Sequence, residues 1–408
     1  MKAGWEVKPL GEVCEKITDG THHSPKKTSA IRQPGQFPYV TSKNIRNGVL
    51  DQENVTYVDA DFHAAVYSRC PPDFGDVLLT KDGSNTGQVT LNTFDEPISL
   101  LSSVALIKPK IDQVLARYIV YYLQSDDGFE NLTGQMTGAA IKRIILRNIK
   151  TSLIPIPPLE EQKQIVTVLD AAFEGLTRAT ENARANLQNA RELFEVAKDE
   201  LLTASDETWS RGKLELLGGP VATGPFGSLL HKSDYVVGKT PIVNPAHIVN
   251  GKIAPDLGKT VGPETMARLT SYVMKKGDIV IGRRGDMGRC ATVGEVENGW
   301  LCGTGSFYIR PTRDVEPELV SHILRSRTYV AKLEGLSTGA TMLNISNKTL
   351  AGLELALPPT TEQAAMLRKI DRLAEETKFA ETQYTTKLND IAQLRQSLLQ
   401  KAFAGELT

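Results

Sequence analysis

The chain has 408 residues, of which 40% are hydrophobic and 23% charged, and its formal net charge is −1. This composition is ordinary for a soluble globular protein, and the length predicts two or three domains, each large enough to bury a core. No apolar run approaches the ~18 residues of a membrane span, and the start MKAGWEVKPLGEV lacks a signal-peptide core. The cysteines form no CxxC pair, so neither a disulfide framework nor a zinc ribbon is indicated, and we expect a cytoplasmic protein.

Short β-rich segments dominate the first part of the chain. Val40–Ile45, Asp76–Thr80 and Val104–Ile107 are separated by Gly, Pro and Asn residues, a pattern typical of strands joined by turns. The pair Asn47-Gly48 marks a turn of the kind found in hairpins. Residues 1–156 are therefore predicted to form an α+β domain with a small, twisted sheet.

A long helix is predicted to follow, over residues 157–205. It begins after Pro157 and Pro158, where Glu160 and Glu161 suit the positive end of the helix dipole. Steps of alternately three and four residues meet mostly apolar side chains, as in the seam of a coiled coil. These positions are Leu159, Gln162, Val166, Leu169, Phe173, Leu176, Thr180, Ala183, Leu187, Ala190, Phe194, Ala197 and Leu201. At ~1.5 Å per residue the helix spans roughly 63 Å, more than the core of a small domain needs.

The next part of the chain repeats the first at an offset of about two hundred residues. GDVLLTKDGSNTGQVTL, which begins at Gly75, recurs as GDIVIGRRGDMGRCATV from Gly277, and TGAAIKRI recurs as TGATMLNI. Val243–Ile248 with Asn250-Gly251 also matches the earlier Val40–Ile45 with Asn47-Gly48, and Asp278–Ile281 is a further β-rich segment typical of a strand. Residues 206–357 are therefore predicted to form a second, similar α+β domain. A protein of two similar halves suits a partner with local two-fold symmetry, such as duplex DNA.

A second long helix is predicted over residues 358–408. Thr360 and Gln363 could form a capping box at its start, and it should end near Gly405. Its seam is Leu367, Ile370, Ala374, Thr377, Glu381, Tyr384, Leu388, Ile391, Arg395, Leu398 and Ala402. Two helices of matched length most simply pair with each other, and separate pairing of each with another protein is the alternative.

The near-neutral net charge hides a difference between segments. Residues 209–357 contain 18 Lys and Arg against 13 Asp and Glu, whereas residues 151–208 contain 5 against 11. Residues 1–150 balance at 17 against 17. Neither globular part is basic enough to bind DNA tightly through phosphates alone, so we expect other subunits of a complex to supply part of that contact.

The order of these parts resembles the specificity (S) subunit of Type I restriction-modification systems over essentially the whole chain. The motifs that carry the resemblance are WEVKPLG, TDGTHHSP, GDVLLTKDGSNTG, TGAAIKRI, IPIPPLEEQKQIV and the terminal AFAGEL, in that order. The second half departs from the pattern, because TGPFGSLLH at residues 223–231 stands in place of TDGTHHSP. The equivalence of those two loops is therefore in doubt.

The resemblance implies an α+β fold in which two similar target-recognition domains are joined by two long helices that form an antiparallel, pseudo-two-fold coiled coil. Each domain would read one half of a bipartite, asymmetric site in double-stranded DNA, and the helices would act as a ruler between the half-sites. The implied partners are two adenine-N6 methyltransferase subunits, which hold S-adenosylmethionine, and two restriction/translocase subunits, which use ATP with Mg. No cofactor is expected in this chain.

The residues themselves predict no catalytic site. The nearest approach to the motif that holds a flipped adenine, Asn244-Pro245-Ala246-His247, lacks the second proline and the aromatic residue, and there is no P-loop. His22-His23 has no third ligand at a useful spacing, so no metal is predicted. The alternative function is a non-catalytic scaffold with two ligand-binding modules on a coiled coil, although an aromatic content of 6% is low for sugar binding. A hydrolase is a weaker third hypothesis, because paired carboxylates and a nucleophile motif are lacking.

The candidate DNA-binding residues are polar or basic side chains of the strand-joining loops, the types that read base edges and grip phosphates. In the first half they are Thr21, His22, His23, Lys26, Lys27, Lys43, Asn44, Arg46, Lys81, Ser84 and Asn85. In the second half they are His231, Lys232, Asn244, His247, Arg283, Arg284 and Arg289. Arg283 and Arg284 are the strongest candidates, because an arginine can donate two hydrogen bonds to guanine and the neighbouring glycines let the backbone approach the duplex.

Overall fold

The computed structural model describes residues 2, 4–134, 143–204, 206–226, 229–339 and 342–407. The chain divides into two compact units, the first formed by Met1–Arg184 with Thr386–Thr408 and the second by Ala185–Thr385. The chain passes between the units twice, each time within a long helix. Residues 137–142 of the TGAAIKRI segment and 227–228 of TGPFGSLLH lie outside the described residues. The domains predicted from the sequence keep each long helix whole, whereas the compact units divide both helices. The predicted domain boundaries stay a prediction.

The elements up to the first long helix are short. They are β1 (Glu6–Pro9), α1 (Leu10–Val13), β2 (Cys14–Asp19), β3 (Phe37–Val40), β4 (Ile45–Arg46), β5 (Val49–Leu50), β6 (Thr56–Val58), α2 (Ala60–Tyr67), β7 (Val77–Thr80), β8 (Val89–Leu91), β9 (Ser99–Leu100), β10 (Val104–Pro109), α3 (Ala116–Gln124), α4 (Asp126–Thr133), α5 (Leu146–Thr151), β11 (Leu153–Ile156) and α6 (Leu159–Thr203).

The elements after α6 largely repeat this order. They are β12 (Ser210–Lys213), α7 (Leu214–Leu217), β13 (Val221–Thr223), β14 (Tyr235–Val236), β15 (Thr240–Val243), β16 (Ile248–Val249), β17 (Lys252–Ile253), β18 (Thr260–Val261), α8 (Pro263–Arg268), β19 (Ile279–Gly282), β20 (Cys290–Thr292), β21 (Leu301–Cys302), β22 (Ser306–Ile309), α9 (Pro317–Leu324), α10 (Arg327–Leu336), α11 (Asn347–Ala351), β23 (Glu354–Leu357) and α12 (Thr360–Ala404).

Each unit contains a four-stranded antiparallel sheet of the same topology. The strand order is β2-β10-β7-β8 in the first unit and β13-β22-β19-β20 in the second. In each case the apolar central strands are fully buried, in sequences such as VLLT and IVIG. The predicted strands at Asp76–Thr80, Val104–Ile107 and Asp278–Ile281 are therefore confirmed to within a residue or two.

The Asn-Gly pairs form tight turns in both units. Ile45 pairs with Leu50 across Asn47-Gly48, and Ile248 pairs with Ile253 across Asn250-Gly251. Gly48 and Gly251 both have a φ of 76°, and Asn250 has a φ of 50°, values that glycine and asparagine tolerate best. The segment Val40–Ile45 is not one strand, because a 3₁₀ turn at Ser42–Asn44 interrupts it.

The long helices pair in an antiparallel manner within each unit. In the first unit Lys2 pairs with Glu161 near the start of α6 and also packs beside Gly405 after the end of α12, while Arg395 of α12 stacks on Phe173 of α6. In the second unit Arg191 of α6 forms an ion pair with Glu381 of α12, at 2.6 Å. Phe173, Glu381 and Arg395 are all predicted seam positions, so the pairing of the two long helices with each other is confirmed, although the predicted seam residue Ala374 is exposed. Together with the sheets, the helices confirm the α+β fold class.

The predicted capping box at Thr360 and Gln363 is wrong. The Gln363 amide instead accepts a hydrogen bond from the Glu316 amide nitrogen before α9, at 2.8 Å, and donates to the Pro358 carbonyl at 3.0 Å. Gln162 makes the equivalent bonds in the first unit, with the Leu115 nitrogen at 2.9 Å and the Pro157 carbonyl at 2.9 Å. Both glutamines are almost completely buried. These bonds explain why the polar Gln162 stands at a buried seam position.

One edge of each four-stranded sheet carries the same ion pair, and we call it the ion-pair edge. Lys108 Nζ lies 2.6 Å from Asp76 Oδ2 in the first unit, and Arg310 Nη2 lies 2.6 Å from Asp278 Oδ2 in the second. Burial raises the pKa of Asp76 although Lys108 opposes it, and the hydrogen bond to Asp278 raises the pKa of Arg310. The pairs stand 202 residues apart, at the same register of the repeat.

Candidate nucleic-acid interface

The opposite edge of the first unit's sheet gathers the loops that carry the candidate residues, and we call it the loop edge. β10 runs antiparallel to both β2 and β7, and Ala105 lies opposite Asp19 on one side and Leu79 on the other. The ends of β2 and β7 and the start of β10 therefore meet at one edge. The segments after β2 and β7, which contain the predicted residues around His22 and Lys81, both leave the sheet here.

Charges of both signs are paired at the loop edge of the first unit. Lys81 Nζ lies 3.5 Å from the Asp19 carboxylate and 3.1 Å from that of Asp82, and its side chain is only 7% exposed. Asp82 in turn pairs with Arg143 at 2.5 Å, and Asp19 pairs with Arg69 at 3.5 Å. Lys81 is thus compensated by two carboxylates, and most of its charge is neutralised locally.

A third candidate segment, residues 41–48, runs beside the loop after β7. Asn85 Nδ2 donates to the Ser42 carbonyl at 3.0 Å, and the Asn47 amide nitrogen donates to Gln88 Oε1 at 2.8 Å. The Ser42 nitrogen also donates to Ser103 Oγ, just before β10. The three segments predicted from the first half are therefore brought together at one edge.

The candidates of the first unit differ in how accessible they are. Asn44 is buried and holds the local backbone, since Oδ1 accepts from the Thr41 nitrogen and Nδ2 donates to the Asn54 carbonyl, both at 3.0 Å. Thr21 is also buried, and its hydroxyl caps the turn at His23. Asn85 is half-buried. The exposed candidates are His22, His23, Lys26, Lys27, Lys43, Arg46 and Ser84.

The second unit builds its loop edge in the same way. Phe307 of β22 lies opposite Thr223 of β13 and Ile281 of β19, so these strands end or begin together. The Arg283 nitrogen donates to the Gly305 carbonyl at 2.9 Å, and Arg289 Nη1 lies 3.5 Å from the Pro245 carbonyl. The loop after β19 and the turn after β15 therefore lie side by side, as their counterparts do in the first unit.

The charges at this second loop edge are different. The Cζ atom of Arg283 lies 4.6 Å from the ring centroid of Phe226 and 5.4 Å from that of Phe307, and its Nε lies 3.4 Å from Asn344 Oδ1. Burial, with a smaller contribution from the neighbouring charge of Arg284, lowers the pKa of Arg283. Arg284 is exposed, and its backbone bridges to Asn344. Among the described residues, Arg283 thus has no carboxylate partner, whereas Lys81 of the first unit has two.

The remaining candidates of the second unit hold their own loops. His247 is half-buried and its Nδ1 shares a hydrogen bond with the Ile242 carbonyl at 2.8 Å, while Asn244 precedes the same 3₁₀ turn. His231 and Lys232 are exposed, and the His231 nitrogen donates to Asp234, which pairs with Arg268 at 2.7 Å. The contacts of His231 therefore lead toward α8 and not toward the Arg283 loop. DNA contact by any of the candidates stays a prediction.

Several residues at the loop edges were not among the candidates, including Asp19, Arg69, Asp82, Arg143, Phe226 and Asn344. Arg143 and Asn344 stand 201 residues apart, in the repeated TGAAIKRI and TGATMLNI segments. Arg143 forms a β-bridge to Asp82, and Asn344 forms the equivalent bridge to Arg284. Alignment of the two halves could have selected this pair. Phe226 had no such signal, because the loop that contains it has no clear counterpart.

Two negative observations concern the described parts of the chain. There, no group of three or more His, Cys, Asp and Glu side chains is arranged to hold a metal ion, and His22 instead lies 3.3 Å from the Asp19 carboxylate. None of the helices described is long and apolar enough to cross a membrane.

Comparison with known proteins gives consistent results over the whole chain. The chain is 25% identical to the Type I restriction enzyme StySPI specificity subunit of Salmonella potsdam and 22% identical to the EcoKI specificity subunit of Escherichia coli K12. Each alignment covers all of this chain and 90% of the relative.

Solved structures share the fold. A chain from a structure of the type I R-M system, solved to describe its complex assembly and conformational transition, aligns with a TM-score of 0.73, 18% identity and 99% coverage of both chains. The HsdS subunit from Thermoanaerobacter tengcongensis aligns with a TM-score of 0.58 and 18% identity, over 99% of this chain and 97% of that one. The sequence profile of the Type I restriction modification DNA specificity domain matches residues 2–189 and 227–390, and the chain therefore belongs to this family.

Proposed function

We propose that this chain is the DNA-binding specificity subunit of a Type I restriction-modification complex. It reads a bipartite, asymmetric site in double-stranded DNA, one half-site with each unit, and docks two adenine-N6 methyltransferase subunits and, through them, two restriction subunits. The observation that carries the proposal is the repetition of one arrangement, in which polar loops gather at one edge of a four-stranded sheet in each unit. Family membership favours DNA recognition over the scaffold alternative.

The different charges of the two loop edges support an asymmetric site. At the first edge Lys81 is paired with two carboxylates, whereas at the second Arg283 contacts two rings and an amide, and Arg289 pairs with the carboxylate of Asp286. Base edges in the major groove differ in their donors and acceptors, so two surfaces of different polarity select different base sequences. Two identical half-sites would instead be expected from identical edges.

Exposed apolar side chains on the long helices support the docking of two equal partners. Leu193 on α6 is 70% exposed in the second unit, and Leu394 on α12 is 49% exposed in the first. They stand 201 residues apart, at equivalent positions of the repeat. A single exposed leucine is common on a protein surface, but its recurrence at equivalent positions of both halves would give each partner the same apolar contact. One methyltransferase subunit would pack against Leu193 and the other against Leu394.

Catalysis is assigned to the partners. S-adenosylmethionine and ATP with Mg would be held by the methyltransferase and restriction subunits, while this chain supplies sequence recognition. The purified chain should therefore bind its DNA site weakly and transfer no methyl group, and addition of its methyltransferase should restore methylation of adenine in that site. Methyl transfer by the purified chain would contradict this assignment.

The spacing between the half-sites offers the sharpest test of a bipartite site. The units are joined through α6 at Arg184 and Ala185 and through α12 at Thr385 and Thr386. Insertion of one heptad at both places keeps the seam in register and adds ~10 Å to each helix. This is about three base pairs of duplex. Methylome sequencing should show the same two half-sequences separated by a longer spacer, and an unchanged spacer would argue against the ruler.

A further inference from the structure

Arg283 is held by an arrangement that is unusual for a half-buried cation. Its guanidinium lies over the rings of both Phe226 and Phe307, and the only side-chain hydrogen bond found for it in the described residues is the one to Asn344. Nη1 is buried and has no hydrogen-bond partner within the described ranges. A buried donor without an acceptor is costly, and in native proteins it calls for an explanation.

The first unit shows what the repeat offers at the same place. Lys81 corresponds to Arg283, and its two carboxylate partners are Asp19 and Asp82. Asp19 lies opposite Ala105, as Thr223 lies opposite Phe307, so a threonine replaces the first carboxylate. Arg284 replaces the second. Both compensating charges are therefore lost in the second unit, and one becomes a further positive charge.

Aromatic rings replace the carboxylates as the contacts of the cation. A ring face attracts a guanidinium through its quadrupole, and it fixes the plane of the group by stacking. Unlike a carboxylate, it accepts none of the N–H groups in the strong hydrogen bonds of a fork. Phe307 is fully buried in β22, whereas Phe226 is 42% exposed in a loop. Core packing accounts for the aromatic residue at Phe307, whereas the contact with Arg283 accounts for the one at Phe226.

We propose that Phe226 is a positioning residue, which fixes the plane of the Arg283 guanidinium so that its donors meet the paired acceptors of a guanine edge in the half-site read by the second unit. The inference rests on the proposed function. Paired acceptors are also present on a phosphate, but a phosphate contact does not require a fixed plane and is served by any exposed cation. Arg284, which is exposed beside Arg283, suits that second role.

The test uses the full chain in complex with its methyltransferase. Phe226→Leu removes the ring and keeps an apolar side chain, Phe226→Tyr keeps the ring, and Arg283→Lys keeps the charge without the planar fork. Phe74→Leu, at an exposed phenylalanine of the first unit, is the matched control. Binding is selected from DNA pools in which one half-site at a time is randomised, at two salt concentrations.

We expect Phe226→Leu and Arg283→Lys to reduce the preference for guanine at one position of the second half-site about tenfold. The first half-site and the salt dependence should not change, and Phe226→Tyr and Phe74→Leu should behave like the wild type. An unchanged preference in Phe226→Leu would overturn the positioning role. If Phe226→Leu fails to fold, Arg283→Lys still tests whether the arginine reads a base.

Three further outcomes separate this inference from the function on which it rests. Equal weakening of binding to all sequences by Arg283→Lys, with an unchanged preference for guanine, would assign Arg283 to a phosphate and overturn the proposal. A wild-type complex without any sequence preference would overturn the proposed function instead. A sequence-specific wild type whose guanine preference is unchanged by both Phe226→Leu and Arg283→Lys would overturn the inference alone.

Discussion

The two edges of the four-stranded sheets have diverged to different extents between the two halves of the chain. At the ion-pair edge, Asp76 with Lys108 and Asp278 with Arg310 keep the same charges at the same register. At the loop edge, Lys81 of the first unit, which pairs with two carboxylates, stands where the second unit has Arg283 over two aromatic rings. One edge thus has a common structural role, and the other has acquired a separate chemistry in each unit.

The largest expected loss of stability comes from breaking the ion pair at the ion-pair edge. Asp278→Ala leaves Arg310 without its carboxylate and the Lys275 nitrogen without its acceptor, and it should lower the free energy of unfolding by about 2–3 kcal/mol, less than for a fully buried pair because Arg310 is 38% exposed. Asp76→Ala should cost a similar amount, and half-site preference should persist in both. Denaturant unfolding measures the loss, and a much smaller loss in either unit would show that the edges are not equivalent.

A smaller effect is expected from making the second loop edge resemble the first. Arg284→Asp restores the carboxylate that the first unit has at Asp82, and it reverses one exposed charge. DNA affinity should fall about tenfold, or about 1.4 kcal/mol, with a shallower salt dependence. Fluorescence anisotropy on the complex measures both. Arg313→Asp, an exposed residue beyond the other end of β22, is the control. An equal loss of DNA affinity in Arg313→Asp would mean that only the net charge matters and that the position of Arg284 does not.

The smallest expected loss of stability concerns the start of α10, which a side chain of α6 caps in the second unit. Asp199 of α6 accepts hydrogen bonds from the nitrogen and hydroxyl of Thr328 at the start of α10, at 3.0 and 2.7 Å. Burial raises the pKa of Asp199, but these hydrogen bonds outweigh it, and the pKa lies below the ordinary value. Asp199→Ala should therefore cost about 1 kcal/mol at neutral pH.

The contribution of Asp199 should depend on pH in a definite direction. Because its pKa is depressed in the folded state, the stabilisation is complete above the ordinary aspartate pKa of about 3.9 and is lost as the pH falls through the folded-state value. The difference between wild type and Asp199→Ala should shrink over that range in urea unfolding. Gln400→Ala, at the equivalent position of α12, should show no such dependence, and a parallel dependence would argue against the carboxylate as its source.

Much of the fold could be predicted from the sequence because its signals are local. The heptad pattern and the Pro-Pro pairs predicted α6 and α12 to within a few residues of their ends. The Asn-Gly pairs predicted the two tight turns. Gln363 was assigned wrongly, because a helix start offers the same residues for a capping box and for a tertiary hydrogen bond, and only the folded domain supplies the second partner.

The candidate site was predicted less completely, because its chemistry depends on contacts across the chain. Exposed Lys and Arg residues in loops are visible in a sequence, but the neutralisation of Lys81 by Asp19 requires knowledge of how β2 and β7 meet at β10. The burial of Asn44 and the stacking of Phe226 on Arg283 likewise involve partners 10 and 57 residues away. Sequence patterns identified the loops, and the folded backbone determines which side chains remain available.

The buried glutamines at the starts of the long helices have a mechanical consequence. Gln162 and Gln363 each tie the first turn of a long helix to the loop before α3 or α9, with one amide group that both donates and accepts. Rotation of the helix about its own axis would break these bonds at once, so each joint is torsionally stiff. A change in the twist of a long helix would therefore be transmitted to the domain at its start, and that domain would rotate about the helix axis.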